Sequence, residues 1–223
     1  MKVSEAVASR QSVRAFLDRP VDKETITWLL EQAQWTPSGG NLQPWRVYVL
    51  GGDRLAEFKS IIELKLPANT MGEGAEYKVY PPKLKEPYRS RRFKCGEDLY
   101  ASINVPREDK AARIGQFANN FRFFGAPVGL FFAIDRCMQE GQWSDLGMYI
   151  QTLMLLAREK GLHSCAQEAW AWWPQTVCQF LDIPDEFMLF CGMALGYMDE
   201  SHPINNWRTD RADLDEIVEW HGL

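Results

Sequence analysis

The spacing of apolar positions predicts alternating helices and strands along most of the chain. Val3, Ala6 and Val7 recur at helical intervals, which predicts a short helix over 3–9 that presents Arg10 at its end. Asp22 suits the N-cap of a helix over 23–35, with Ile26, Leu29, Leu30 and Ala33 on its buried face. Pro37, Gly39 and Gly40 stop that helix, and the stretch from Trp45 to Leu50 then alternates as a strand does. Gly51 and Gly52 turn the chain into a helix from about Asp53 to Lys65. Further on, the pattern predicts a helix near 109–123, a strand from Val128 to Ile134 and a long helix over about 143–160. Leu146, Ile150, Leu153, Met154 and Ala157 share one face of the long helix, and Gly161 is its C-terminal stop. Trp173-Pro174 opens another helix to about Leu181, and Leu189 to Gly196 is an unbroken apolar run that suits a strand buried on both faces.

Residues 67–108 break the pattern. Pro67, Pro81, Pro82, Pro87 and Pro106 lie among charges and aromatics, and no long periodic run survives. Tyr77, Tyr80, Tyr88, Phe93 and Tyr100 argue against a disordered linker, since such tracts are poor in aromatics. The segment reads as an ordered excursion over the core, a partner subunit or the mouth of a site. The tail is polar, yet it ends in Leu214, Ile217, Val218 and Trp220, which need a surface to dock on. A chain of 223 residues with this order of elements reads as one α+β domain.

Composition narrows the function. A formal charge of −5 argues against general nucleic-acid binding. No stretch approaches the ~20 apolar residues of a spanning helix, and the N-terminus reads as an amphipathic helix rather than a secretory leader. Cys95, Cys137, Cys165, Cys178 and Cys191 are odd in number and widely spaced, which suits reduced, mostly buried thiols in the cytosol. His163, His202 and His221 lack ligand spacing, so no metal is expected.

The candidate chemistry sits in three stretches. Arg10-Gln11-Ser12-Val13-Arg14 near the start and Arg208-Thr209-Asp210-Arg211 near the end bring four guanidiniums that can grip a phosphate in bidentate fashion. Pro37-Ser38-Gly39-Gly40-Asn41-Leu42-Gln43-Pro44-Trp45 is a loop of small and amide residues that can approach a flat heteroaromatic ring. Together they suggest a phosphorylated planar cofactor. The run from Arg89 to Lys94 reads first as a solvated surface segment, and alternatively as the rim of a site for an anionic substrate. Trp170, Trp172 and Trp173 suit the core, or else a stacking platform. Asp145 reads as a cap or a surface charge.

In order, spacing and chemistry these stretches resemble the FMN-dependent nitroreductase family: an R-x-S-x-R motif, a P-S-x-x-N-x-Q-P-W loop, and a closing segment with Gly196-Tyr197, Pro203-Ile204-Asn205 and the two late arginines. The resemblance implies an α+β homodimer with a mainly antiparallel sheet, exchanged terminal extensions and two FMN sites at the interface. Arg10, Ser12, Arg208 and Arg211 would hold the phosphate, and Arg14 would lie at the pyrimidine edge. Pro37, Ser38, Gly39 and Asn41 would come from the opposite subunit, and Gln43 would lie near the ring edge or be a buried amide. The segment Ser164 to Trp170 matches the family stretch that passes the central ring, which makes Gln167 and Glu168 cofactor candidates, with the Glu168 backbone N–H at flavin N5. No catalytic acid or base is required, because hydride passes between NAD(P)H, the flavin and an electron-poor acceptor such as a nitroaromatic or quinone. No G-x-G-x-x-G fingerprint is present, so the nicotinamide donor would share the acceptor's pocket. Two alternatives stay open. One is a specialised branch such as a reductive dehalogenase, with Glu76-Tyr77-Lys78 as a lid, or an ene-reductase; the other is a non-catalytic flavin-binding redox sensor.

Overall fold

A computed structural model describes residues 1–223. In chain order the elements are α1 (Val3–Ser9), α2 (Lys23–Ala33), β1 (Trp45–Gly51), α3 (Gly52–Lys65), α4 (Tyr88–Ser102), α5 (Lys110–Ala118), β2 (Val128–Asp135), α6 (Glu140–Glu159), β3 (His163–Gln167), α7 (Pro174–Leu181) and β4 (Phe187–Gly196). The strands form one sheet of order β1-β2-β4-β3, antiparallel throughout. β1 and β3 are therefore opposite edges. The central strands β2 and β4 are almost wholly buried, as their continuous apolar sequences predict.

Side chains alternate across β2 and sort into two cores. Leu130, Phe132 and Ile134 meet α2 and α6 through Leu29, Ala33, Leu146, Leu153 and Ala157. Phe131 and Ala133 face the other way, into a core with Phe58 and Ile62 of α3, Val177 of α7, and Phe121, Trp170 and Trp173. Asp22 caps α2 as expected, accepting from the Thr25 N–H at 2.6 Å.

Two elements depart from the sequence expectation. The excursion contains α4, whose 15 residues include no buried one, so no apolar stripe announces it. Its polar surface is tied down by ion pairs, Lys94 to Asp98 one turn on, Arg91 to Glu216 in the tail at 2.8 Å, and Glu97 to Arg113 of α5 at 2.7 Å. The second is the predicted helix near 109–123, which ends at Ala118 and continues as a 3₁₀ turn, where Phe123 and Phe124 take positive φ (52° and 54°) to drive their rings into the core.

The start of the excursion is pinned beside the sheet. The Glu73 N–H donates to the Trp172 carbonyl at 2.6 Å, and its carboxylate accepts from the Thr176 N–H at 2.9 Å. Gly72 (φ 83°) passes so close that an added Cβ would lie 2.4 Å from that same carbonyl oxygen. The Tyr77 hydroxyl donates to the Phe190 carbonyl at 2.5 Å.

β3 begins at His163, whose Nδ1 is buried without a partner. Burial, with a smaller contribution from Arg158, pushes its imidazole down from 6.5 to about 4. An unfolded chain protonates this histidine near 6.5 and the folded one only near 4, so between those values the unfolded state binds more protons. Stability is thus intact at pH 7.5 and falls as the pH drops through this window, by roughly 2 kcal/mol at pH 5. Urea unfolding at pH 7.5 and 5.0 checks this: the difference should shrink by that amount in His163→Gln, and an unchanged difference would clear His163 of the effect.

Candidate active site

The segment after α1 runs alongside the edge strand β3. The Val13 N–H donates to the Ser164 carbonyl at 3.1 Å, and the Leu17 N–H donates to the Tyr197 carbonyl at 2.9 Å just beyond β4. Val13 and Phe16 anchor the segment in the core, so its other residues, Arg10, Ser12 and Arg14, are left half-buried at the surface. The C-terminal segment is sewn to it by Asn205. This buried amide accepts from the Arg14 N–H at 2.9 Å and donates to the Ala15 and Asp199 carbonyls, each at 2.9 Å. Asn205 was legible as part of a motif, but its role as the clasp between chain ends was not.

The result is a cavity of about 180 Å3 lined by Arg10, Ser12, Arg14, Asn205, Arg208 and Arg211, with Gln11, Cys95, Ile204, Trp207 and Thr209. None of its four arginines is in an ion pair. Asp210, the carboxylate lying between the two late arginines in sequence, turns instead to Lys94 of α4 at 3.1 Å. Backbone carbonyls hold three of the guanidiniums in place: Arg208 donates to those of Ala8 and Arg10, Arg211 to those of Thr209 and Asp210, and Arg14 to that of Ser12. Burial, then the fields of Arg211 and Arg208, push the Arg10 guanidinium below its usual value. Like charges gathered without a counter-charge make a site that an anion completes.

Arg14 and Cys95 also line a larger cleft of about 1090 Å3, walled by residues 80–100 of the excursion and α4 and by Gln116, Phe117, Asn120 and Phe124. The two cavities thus meet at Arg14, as a phosphate pocket and a ring site would.

The loop of Pro37, Ser38, Gly39 and Asn41 lines neither cavity. It precedes β1, at the sheet edge opposite β3, and most of it is exposed. Gly40 and Asn41 both take positive φ (58° and 56°), and Ser38 Oγ accepts from the Gln43 N–H at 2.9 Å. Gln43 is exposed rather than a buried amide. Asp145 is neither a cap nor a surface charge: it is buried on α6, and its Oδ2 accepts from the Gly39 N–H at 3.1 Å, fixing the loop.

Gln167 is 2 % exposed and donates through Nε2 to the Asn120 carbonyl at 2.7 Å. Its side chain belongs to the interior and lines neither cavity. Glu168 follows it into a 3₁₀ turn and is exposed, although local desolvation raises its carboxyl above the usual range. Trp170 and Trp173 are wholly buried, which settles the aromatic cluster as core, with Trp172 packed against Phe117. The lid imagined from Glu76-Tyr77-Lys78 is not available: Glu76 pairs with Arg136 at 2.7 Å, and the Tyr77 hydroxyl is spent on the Phe190 carbonyl. Of the five free thiols, Cys165 and Cys191 are buried, Cys95 and Cys178 half-buried and Cys137 exposed, fewer in the interior than expected. The structure holds no group of three or more side chains placed to bind a metal ion. No helix is long and apolar enough to cross a membrane.

Comparison with known proteins finds relatives along nearly the whole chain. Residues 7–197 match the model of the nitroreductase family. The chain is 37% identical over 217 residues to a 4-nitrobenzoate reductase of Pseudomonas putida, covering 97% of this chain and 94% of that one. It superposes with a TM-score of 0.97 on the FMN and NADPH-dependent nitroreductase NfnB of Sphigopyxis sp. strain HMH, at 47% identity over 100% of both chains. The FMN-dependent nitroreductase NfnB of Mycobacterium smegmatis, solved in complex with NADPH, superposes with a TM-score of 0.93 at 27% identity, over 98% of both chains. With a full-length fold match and a family match from α1 to the residue after β4, the chain belongs to the nitroreductase family.

Proposed function

We propose that this chain is an FMN-dependent NAD(P)H oxidoreductase that reduces nitroaromatics, quinones and similar electron-poor acceptors. The observation that carries this reading is the cluster of four arginines without a carboxylate partner, opening at Arg14 onto a cleft of about 1090 Å3. Family relatives named for nitrobenzoate, nitrobenzene and chloronitrobenzene reduction support the acceptor class.

The donor set fits FMN. Arg10, Arg208 and Arg211 would hold its phosphate through charge-assisted hydrogen bonds, with the Ser12 hydroxyl as a further donor. Arg14 would face the pyrimidine edge, where a fixed cation favours negative charge and so eases electron uptake. FMN supplies the hydride chemistry that links the nicotinamide donor to the acceptor. The chain would orient the reactants and exclude water, and the Glu168 backbone N–H would be the donor toward N5, although Glu168 lines neither cavity of the single chain.

Pro37, Ser38, Gly39 and Asn41 would serve the site of a second copy. They sit at the sheet edge opposite the arginines, so a single chain does not unite them. Trp35, Leu214, Ile217 and Trp220 are all exposed on the isolated chain, as surfaces for a homodimer would be. On this reading residues 1–223 form one domain whose active site two copies complete, and the five free thiols suit a reducing cytosol.

An anaerobic absorbance titration tests the reading. Purified protein should be yellow, bleach with one equivalent of NADH or NADPH per flavin, and regain its colour on adding nitrobenzoate or a quinone. A protein that takes up no FMN would show that the arginines hold another anion.

A further inference from the structure

The larger cleft carries a charge signature of its own. Its walls hold four cations, Arg14, Lys83, Arg89 and Arg92, against a single acid, Glu97, in a chain whose net charge is −5. Glu97 is already engaged by Arg113 and Arg89 by Glu86, each at 2.7 Å. Lys83 and Arg92 have no carboxylate within ion-pair distance. The Arg92 guanidinium lies 4.1 Å over the Tyr80 ring, which holds its plane and leaves its N–H fork free to donate. Tyr80, Phe93 and Phe117 add aromatic wall to the same cleft.

A flat apolar lining with unpaired cations suits a flat molecule with a negative substituent. We propose that this cleft selects aromatic acceptors that carry a carboxylate or an equivalent anionic group, with Arg92 and Lys83 as the specificity-determining cations. The proposal rests on the FMN oxidoreductase reading and adds to it the charge of the substrate. It also gives a role to the basic run from Arg89 to Lys94, which contributes Arg89 and Arg92 to the cleft.

An anionic group has a second source here, the 2′-phosphate of NADPH, and the test separates the two. FMN-loaded wild type, Arg92→Gln and Lys83→Gln are assayed with 4-nitrobenzoate and with 4-nitrobenzamide, each with NADH and with NADPH as donor. The acid-over-amide ratio of kcat/KM should fall about tenfold in each variant with either donor, the scale of one charged hydrogen bond. In the wild type the same ratio should shrink as salt rises. A ratio unchanged in both variants overturns the proposal. So does a loss confined to NADPH, which would assign the cations to the donor. A wild type that reduces the amide but shows no preference for the acid also sinks the proposal, and leaves the oxidoreductase reading standing. Failure to reduce either acceptor or a quinone would remove that reading. Calorimetric titration of 4-nitrobenzoate into the same three proteins still decides the proposal then, since equal Kd values would overturn it.

Discussion

Arg10→Ala is expected to weaken FMN binding about 100-fold, while the cofactor-free protein keeps its stability or gains a little. One charged hydrogen bond contributes ~1.5–3 kcal/mol, and ~2.7 kcal/mol is a hundredfold in affinity. Stability responds differently because Arg10 has no acidic partner to lose. It is crowded by Arg208 and Arg211, and removing it relieves that repulsion. Its backbone carbonyl, which accepts from Arg208 Nη2 at 3.1 Å, survives the substitution. Fluorescence titration of apoprotein with FMN gives the first quantity, and thermal unfolding without FMN the second. If apoprotein stability fell along with affinity, Arg10 would be a structural residue and not an anion ligand.

Trp170→Ala should produce the largest loss of stability. The indole is fully buried, and its ring centroid lies 5.4, 5.3, 4.8 and 5.1 Å from those of Phe58, Phe121, Phe123 and Phe131. Truncating a buried tryptophan costs ~3–5 kcal/mol, which for a chain this size lowers Tm by roughly 10 °C. Gly192 supports the same ring from below: a Cβ there would sit 2.3 Å from Trp170 Cδ1. Gly192→Ala should therefore cost ~1–3 kcal/mol through overpacking. Gly192 also pairs with Gln167 in the β3–β4 register, so both variants should shift the Glu168 turn and reduce FMN affinity as well. Thermal unfolding and FMN titration check both effects. A Tm unmoved by Trp170→Ala would show that the aromatic cluster does not depend on the ring.

The elements with a regular apolar period were legible in sequence, from α2 with its Asp22 cap to the almost wholly buried β4. α4 was not, because periodicity reports burial and this helix buries no residue fully within its own chain. β3 was not identified as a strand either: His163, Ser164 and Gln167 are polar side chains in a buried setting, which hides the strand pattern. At the site, the residue types of the two arginine motifs sufficed to suggest an anion, and the structure brings them together. Asp145 was unreadable because a carboxylate near a helix start is ordinarily a surface group. Only the fold shows that it is buried against the Gly39 N–H. The side chain of Gln167 was assigned from its place in a motif, whereas its direction depends on the pleat of β3 and on Asn120.

The Asn205 clasp has a consequence for synthesis. Arg10 and Arg208 meet across nearly the whole chain, with no local contact to bring them together early. A ribosome that has made both sheet cores has still not made half of the arginine pocket. Cofactor capture is then among the last events of folding, and a chain released short of Arg208 would be folded in the main yet colourless. The colour of the protein would thereby report that synthesis had passed Arg211, the last arginine of the pocket.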